Sequence, residues 1–399
     1  MRVLIIGGDG YCGWASALHL CARGHDVTIF DSLVRRRWDS ELGVSTLTPI
    51  RSMAERLRAW EHVSGRAIKF FEADATDYTA VCDAILATQP DAVVNFGQQR
   101  SAPYSMIDRE HAARTMINNT LGNLNVLWAM REHAPDAHLV KLGTMGEYGT
   151  PNIEIEEGFI TIEHKGRRDT LPFPKQPGSF YHLTKVADSD QIYFACRVWG
   201  LRATDLNQGV VYGLHTHETS LDPELINRFD YDGIFGTALN RFCVQAALDH
   251  PLTVYGRGGQ TRAFLNITDT ARCVELAVES PPAAGTFRVF NQFTQTFSVL
   301  SLARHVARVG ANLGLKVRID HVENPRVERE AHFYSSLNNN LISLGLEPVL
   351  LTDDVVASMI ESAQAFRSRI DRAQIMPTVR WKREAVHGTV EAGAEERAG

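Results

Sequence analysis

The apolar positions of the chain come in short runs that alternate with stretches of helical period. Residues 3–6 form an apolar run of strand type, and after it Trp14, Ala17, Leu18, Leu20 and Cys21 recur on one side of a helix over 11–23. A second strand follows at 26–31 and a third at 69–74, with a helical stretch near 50–63 in the long connection between them. A helix over 78–87 leads to a fourth strand at 91–96, which breaks at Gly97. A helix over 118–131, a fifth strand at 138–143, a long helix over 180–199 and a sixth strand at 203–207 continue the series. Alternation at these lengths predicts an α/β chain folded as a doubly wound parallel sheet of Rossmann type.

The alternation loosens past residue 208. Residues 213–236 read as a long polar insertion and 235–249 as a helix, followed by short apolar pieces near 252–255, 264–267, 287–290 and 317–319. The expected organisation is a mainly cofactor-binding part over 1–208 and a smaller, mainly substrate-binding part over 209–383, with sheet elements returning to the first part. An Ala-, Gly- and Glu-rich tail over 384–399 is expected to be disordered.

Between the first strand and the first helix lie glycines at 7, 8, 10 and 13. Gly7 permits a tight turn, Gly10 lets the backbone approach a pyrophosphate at the helix N-terminus, and Gly13 lets the helix pack close to the sheet. Asp31 ends the second strand, 18 residues past Gly13, where a carboxylate can accept from an adenosine ribose 2′-hydroxyl. Strand, glycines, helix, strand and acid in register predict a dinucleotide site. Asp31 favours NAD over NADP, because it would repel a 2′-phosphate. Arg35, Arg36 and Arg37 complicate this: they suit a 2′-phosphate, a substrate diphosphate or a solvated turn. Asp74 is placed to meet an adenine edge, or to cap the helix after it.

Composition narrows the field. Hydrophobic content of 44% and charged content of 22% are ordinary for a globular protein, and a net charge of −6 gives no reason to expect nucleic acid or an anionic membrane. The six cysteines form no CxxC pair and mostly lie in apolar segments, which suits thiols in a reducing compartment. His215-Thr-His217 has no second cysteine or histidine pair nearby, so no metal is expected. No apolar run reaches membrane length, and the first strand starts at residue 2. The expectation is a cytoplasmic protein without membrane insertion.

Tyr181-His-Leu-Thr-Lys185 is the second chemical motif. Tyrosine and lysine four apart share a helix face, where an ammonium can lower the tyrosine pKa and the tyrosinate can take a proton from a sugar hydroxyl as NAD takes the hydride. Thr144, just past the fifth strand, can bond the same hydroxyl. This constellation resembles the extended short-chain dehydrogenase/reductases that act on nucleotide sugars. Six stretches resemble one family within that class, the UDP-sulfoquinovose synthases: 7–14, 33–36, 99–106, 141–152, 205–213 and 324–328. One departure is visible: Gln98 stands where that family leads us to expect an acid, which puts any catalytic role of that acid in doubt here.

The resemblance implies a single-site reaction on UDP-glucose and sulfite. C4 is oxidised by NAD, water is lost across C5 and C6, sulfite adds at C6, and C4 is reduced again. It implies Tyr181 as base, Lys185 as its tuner and a ribose ligand, and Thr144 as orienter. Sugar 4,6-dehydratases carry Thr-Asp-Glu here; this chain has Thr144-Met145-Gly146, so Glu147 and His182 become candidates for the dehydration step. The alternative for His182 is a packed helix residue. Tyr11, Cys12, Arg35, Asp74, Ala75 and Asn118 join Gly7, Gly10, Gly13 and Asp31 around NAD. Arg100 suits a sulfite or sulfonate anion, with a loop salt bridge as the bland alternative. Asn207, Gln208, Gln260, Arg262, Arg326 and Glu328 are placed for the UDP-sugar, as are Thr237, Asn240 and Arg241 around a helix start. A homodimer through the helices over 118–131 and 181–199 is implied. Rival readings are another nucleotide-sugar epimerase or dehydratase, and a non-catalytic NAD-binding sensor. Met145 and Gly146 count against a dehydratase, the Arg100 loop against an epimerase, and the retained tyrosine and lysine against a sensor.

Overall fold

The computed structural model describes residues 1–329 and 332–381; the tail expected to be disordered lies outside the described residues. Its strands are β1 (Arg2–Ile6), β2 (Asp26–Asp31), β3 (Lys69–Glu72), β4 (Ala92–Asn95), β5 (His138–Thr144), β6 (Phe159–His164), β7 (Arg167–Pro172), β8 (Arg202–Gln208), β9 (Val210–Tyr212), β10 (Leu252–Tyr255), β11 (Thr261–Asn266), β12 (Phe287–Gln292), β13 (Gln295–Ser298) and β14 (Ile319–Val322). Seven of them form one sheet in the order β12-β8-β5-β4-β1-β2-β3, and every neighbouring pair in it is parallel. Strands buried on both faces read as unbroken apolar runs; β1 and β4 do so because helices cover both sides.

The helices are α1 (Tyr11–Ala22), α2 (Val34–Glu41), α3 (Met53–Ser64), α4 (Tyr78–Thr88), α5 (Arg109–Met116), α6 (Gly122–His133), α7 (Phe180–Trp199), α8 (Ala238–Ala247), α9 (Ile267–Glu279), α10 (Val299–Asn312), α11 (Asn339–Ser343) and α12 (Asp353–Ala365). The helix expected from 118 starts earlier: α5 runs through a π turn, Ile117–Leu121, into α6. That turn aims Asn119 at the loop after β4 and at α7, where it bonds Gln99 and the Thr184 hydroxyl.

The second part has its own apolar core, built from α8, α10, α12 and β10 around Phe242, Val254, Val306 and Ile360. Small sheets, β10-β14 and β13-β11-β9, flank it. The polar insertion over 213–236 is mostly buried, including Asn227, Arg228, Asp230 and Asp232. Its polarity is consumed internally, since Arg228 pairs with Asp39 at 2.8 Å and with Asp230 at 3.6 Å.

Candidate active site

The carboxyl ends of β1, β2, β4 and β5 open into a cavity of about 640 Å³ that reaches across to α8 and the residues around 325. It lies at the switch point between β1 and β4, where open parallel sheets bind ligands. Gly7 has φ +85°, and a side chain there would come within 2.5 Å of Gly97 N. A side chain at Gly13 would lie 2.1 Å from Gly7 O, so this glycine seats α1 against the turn itself. Gly10 opens α1 without a side-chain cap, leaving first-turn N–H groups for an anion. These residues fit a dinucleotide pyrophosphate.

Asp31 accepts the N–H groups of Asp9 (2.9 Å) and Leu33 (2.7 Å). Burial, and then Asp9, raise its pKa to about 6. The arginines are not a solvated turn. Arg36 grips Asp9 through two bonds of 2.8 and 2.6 Å, with buried Arg56 adding a third of 2.8 Å. Arg35 stacks 3.6 Å over the Phe235 ring and pairs with Asp39 (2.8 Å) and Asp230 (3.3 Å). Two of the three guanidiniums are thereby neutralised before any phosphate arrives. Asp74 is not the cap of α4; Asp77 is, accepting Ala80 N–H at 3.2 Å. Asp74, Ala75, Asn118, Tyr11 and Cys12 all line the cavity.

Tyr181 and Lys185 also line it, one turn apart on α7. Ser105 Oγ accepts the Tyr181 N–H at 3.0 Å. Burial pushes the tyrosine hydroxyl up to about 12 and Glu147 adds to this, while Arg100, Lys141 and a hydrogen bond with Thr144 oppose it. The Lys185 ammonium lies 5.9 Å from the Tyr181 ring centroid, and it donates to Gln98 Oε1 and, at 2.6 Å, to Leu142 O. Gln98 in turn donates to buried Asp188 at 2.6 Å. The amide at 98 thus bridges a lysine and a carboxylate, and the acid of the pair sits on α7 instead.

His182 lines the cavity beside Gly146. A side chain on Gly146 would lie 2.4 Å from His182 Nε2, so the imidazole fills the space that such a side chain would take. His182 Nδ1 meets Ser179 Oγ at 3.1 Å. Burial, and then Arg326 and Arg262, lower its pKa to about 4.

Three candidates stand behind the wall. Glu147 is fully buried, held by Lys141 at 3.3 Å, by Lys175 and by Ser189 Oγ at 3.1 Å; both oxygens are occupied, so it does not face a substrate. Asn207 donates to Tyr148 OH at 2.8 Å. Asn240 donates to Asp230 O at 3.0 Å. Each was expected at the ligand, and each is committed to a neighbouring element instead.

The remaining substrate candidates line the cavity: Arg100, Thr144, Gln208, Thr237, Arg241, Gln260, Arg262, Arg326 and Glu328. Thr237 caps α8 by accepting Asn240 N–H at 3.3 Å. Arg262 pairs with Glu328, and Arg241 donates to Tyr255 OH at 2.9 Å. Arg100 does make the salt bridge that was its bland alternative. It pairs with Asp230 and donates to Phe235 O at 3.2 Å, but its side chain keeps 39% of its surface exposed. Sequence reasoning missed Gln98's bridging role, Asp230 and Trp381, which also lines the cavity; the last two sit in stretches without period or motif.

A profile of the NAD dependent epimerase/dehydratase family matches residues 3–291. The chain is 57% identical over 385 residues to a chloroplastic UDP-sulfoquinovose synthase of Spinacia oleracea, covering 96% of this chain and 80% of the relative. It is 42% identical to a UDP-sulfoquinovose synthase of Sulfolobus acidocaldarius, covering 96% and 98%. In fold it is similar to the Thermus thermophilus UDP-glucose 4-epimerase solved with NAD, at TM-score 0.65, 22% identity and coverage of 93% and 100%. It is also similar to the Bifidobacterium longum UDP-glucose 4-epimerase solved with NAD⁺ and UDP, at TM-score 0.68, 19% identity and coverage of 92% and 99%. The glycine turn, the Tyr181–Lys185 pair and these near-full-length relatives converge: the chain belongs to the NAD dependent epimerase/dehydratase family and, within it, to the UDP-sulfoquinovose synthases.

Proposed function

We propose that this chain joins sulfite to UDP-glucose, giving UDP-sulfoquinovose, with NAD regenerated in each cycle. The observation that carries the proposal is one cavity lined at once by the glycine turn, by Thr144, Tyr181 and His182, and by Arg100, Arg262 and Arg326. Bound at the glycine turn and Asp31, NAD supplies a reversible hydride acceptor for C4. Tyr181, once ionised, takes the C4 hydroxyl proton, and Thr144 orients that hydroxyl. The resulting ketone acidifies C5, so a C5 proton and the C6 hydroxyl leave as water. Sulfite then forms a bond from its sulfur to C6, and a proton returns to C5. Tyr181 finally returns its proton to the C4 oxygen as C4 takes back the hydride it gave up, so the ketone is reduced to an alcohol again.

His182 is the dehydration candidate that remains at the cavity, since Glu147 is enclosed. Arg326 and Arg262, which add to burial in depressing its pKa, are among the residues placed for the UDP-sugar, and we assign them to its diphosphate. A diphosphate paired with them would offset their charge and make protonation of the imidazole easier. Arg100 presents its exposed edge to sulfite, its other donors being fixed by Asp230 and Phe235 O.

A homodimer belongs to the same reading. Helices α6 and α7 and the adjoining π turn carry exposed Ile117, Leu124, Trp128, Leu183, Phe194 and Val198, a set of apolar side chains that a second copy would cover. The six cysteines are all unpaired, which suits a reducing compartment such as the cytoplasm, and among the described residues no helix is long and apolar enough to cross a membrane. Mass spectrometry of products from UDP-glucose, with and without sulfite, tests the proposal: a sulfonated UDP-hexose that requires sulfite is expected. Sulfite-independent conversion to a 4-epimer or a stable 4-keto-6-deoxy sugar would overturn it.

A further inference from the structure

The chain after α12 does not leave the molecule directly. Asp371 N–H bonds Tyr231 OH at 2.8 Å, and Gln374 Nε2 reaches Gly43 O at 2.6 Å. Gln374 O accepts Gly233 N–H at 2.9 Å. Gly233 is a glycine for this crossing: a side chain there would come 2.6 Å from Met376 O. The segment then passes along the cavity mouth, where Pro377, Val379 and Trp381 are wall residues. Val379 packs on the cluster of Trp38, Tyr104, Ile234 and Phe235. Trp381 N–H bonds Pro325 O at 2.9 Å, and the Arg326 guanidinium lies 5.6 Å from the Trp381 ring centroid.

We infer that residues 377–381 are a strap closing the substrate end of the cavity, and that Trp381 contacts the planar base of the nucleotide. The inference rests on the nucleotide-sugar reading above and extends it to a stretch with no motif. Three observations lead here. The strap is tied at one end to the insertion and at the other to the loop that carries Arg326 and Glu328. The indole belongs to the same wall as Tyr255, Arg241 and Arg326, where aromatic faces and guanidiniums offer both stacking and anion contacts. Its ring is already ordered against a cation, so little side-chain freedom is lost when a flat ring meets it. The glycine-turn end of the cavity has no part in this contact, so NAD should be indifferent to it.

The test is calorimetric titration of UDP alone into wild-type protein, Trp381→Ala and Trp381→Phe, with bound NAD quantified in each. Stacking of a base on an aromatic side chain corresponds to roughly a five- to hundredfold loss on alanine substitution. Trp381→Ala is expected to weaken UDP by that amount, Trp381→Phe to retain most of the affinity, and both to carry NAD as wild type does. Trp381→Ala binding UDP like wild type would overturn the inference and leave the nucleotide-sugar reading standing. Wild-type protein that binds no UDP at all would overturn both. If Trp381→Ala loses NAD as well as UDP, the residue supports the fold and the contact is wrong.

Discussion

Replacing Glu147 with glutamine separates two roles that its sequence position left open. The carboxylate has no exposed surface and holds three elements together: Lys141 on β5, Lys175 in the loop before α7, and Ser189 on α7. Burial pushes its pKa up, but Lys141 and Lys175 outweigh that and hold it well below the usual carboxylate range. Such a depressed group contributes stability that is present above its unfolded pKa and is lost only in strong acid. Removing one partner of a buried pair costs roughly 3–5 kcal/mol. The low end applies, because Lys141 keeps Asp205 at 3.2 Å and Lys175 can turn toward water. With an unfolding entropy of about 2.1 cal/mol/K per residue, a loss of about 3 kcal/mol lowers the midpoint of a 399-residue chain by roughly 4 °C. Differential scanning calorimetry of Glu147→Gln at pH 7 should show that drop, and below the midpoint the product mixture should match wild type. A variant with an unchanged midpoint that accumulates a 4-keto, undehydrated sugar would refute the reasoning and return Glu147 to catalysis.

Other substitutions address the cavity itself. Tyr181→Phe should abolish C4 oxidation, a loss on the order of several kcal/mol of transition-state stabilisation, read as absence of NADH absorbance after UDP-glucose is added. Arg100→Ala should still oxidise and dehydrate UDP-glucose but fail to add sulfite, because a methyl group replaces charge-assisted donors; a block already at NADH formation would make Arg100 a substrate-placing residue. Away from the site, His19 sits between Glu218 (3.0 Å) and Glu275 (2.7 Å); burial lowers its pKa, but the two carboxylates outweigh it and raise it above its ordinary value. Its stabilisation is therefore full below about pH 6.5 and fades as pH climbs through the raised value, by at most about 1.4 kcal/mol per pH unit, so thermal midpoints from pH 6 to 9 should fall in wild type and lose that component in His19→Gln.

Much of the first half was legible because local rules act there alone. The β1–α1–β2 unit follows from apolar runs and glycine spacing, and α7 begins and ends where the pattern predicts, with Ser179 as cap and Gly200 in the left-handed region. What escaped depends on pairs distant in sequence. The insertion over 213–236 reads only as a long polar stretch, yet Asp230 within it is buried and pairs with Arg35, Arg100 and Arg228, two of which lie far away in sequence. Glu147 announces an acid but not its enclosure. A signal was present in Lys141: a lysine inside a central strand must find carboxylates, and Glu147 and Asp205 are the two it finds. Helices α10 and α12 carry clear apolar periods, with Leu302, Val306 and Val309 buried on the first and Val356, Met359 and Ile360 on the second, so their omission was a failure of reading.

Gly146 and His182 together set the geometry of this cavity apart from the dehydratase pattern. In the dehydratase pattern, an aspartate and a glutamate follow the threonine that ends β5. Here the second of those positions has no side chain, and the space that one would enter holds His182 Nε2 instead, 2.4 Å from where a Cβ would lie. The imidazole comes from α7, beside Tyr181, with ring centroids 5.0 Å apart. Proton donor and acceptor candidates thus share one rigid helix rather than being divided between a loop and a helix. The exchange is also steric: a glutamate at 146 and an imidazole at 182 cannot both occupy that space. Acids placed at 145 and 146 would therefore displace the His182 imidazole from its present position rather than add to it.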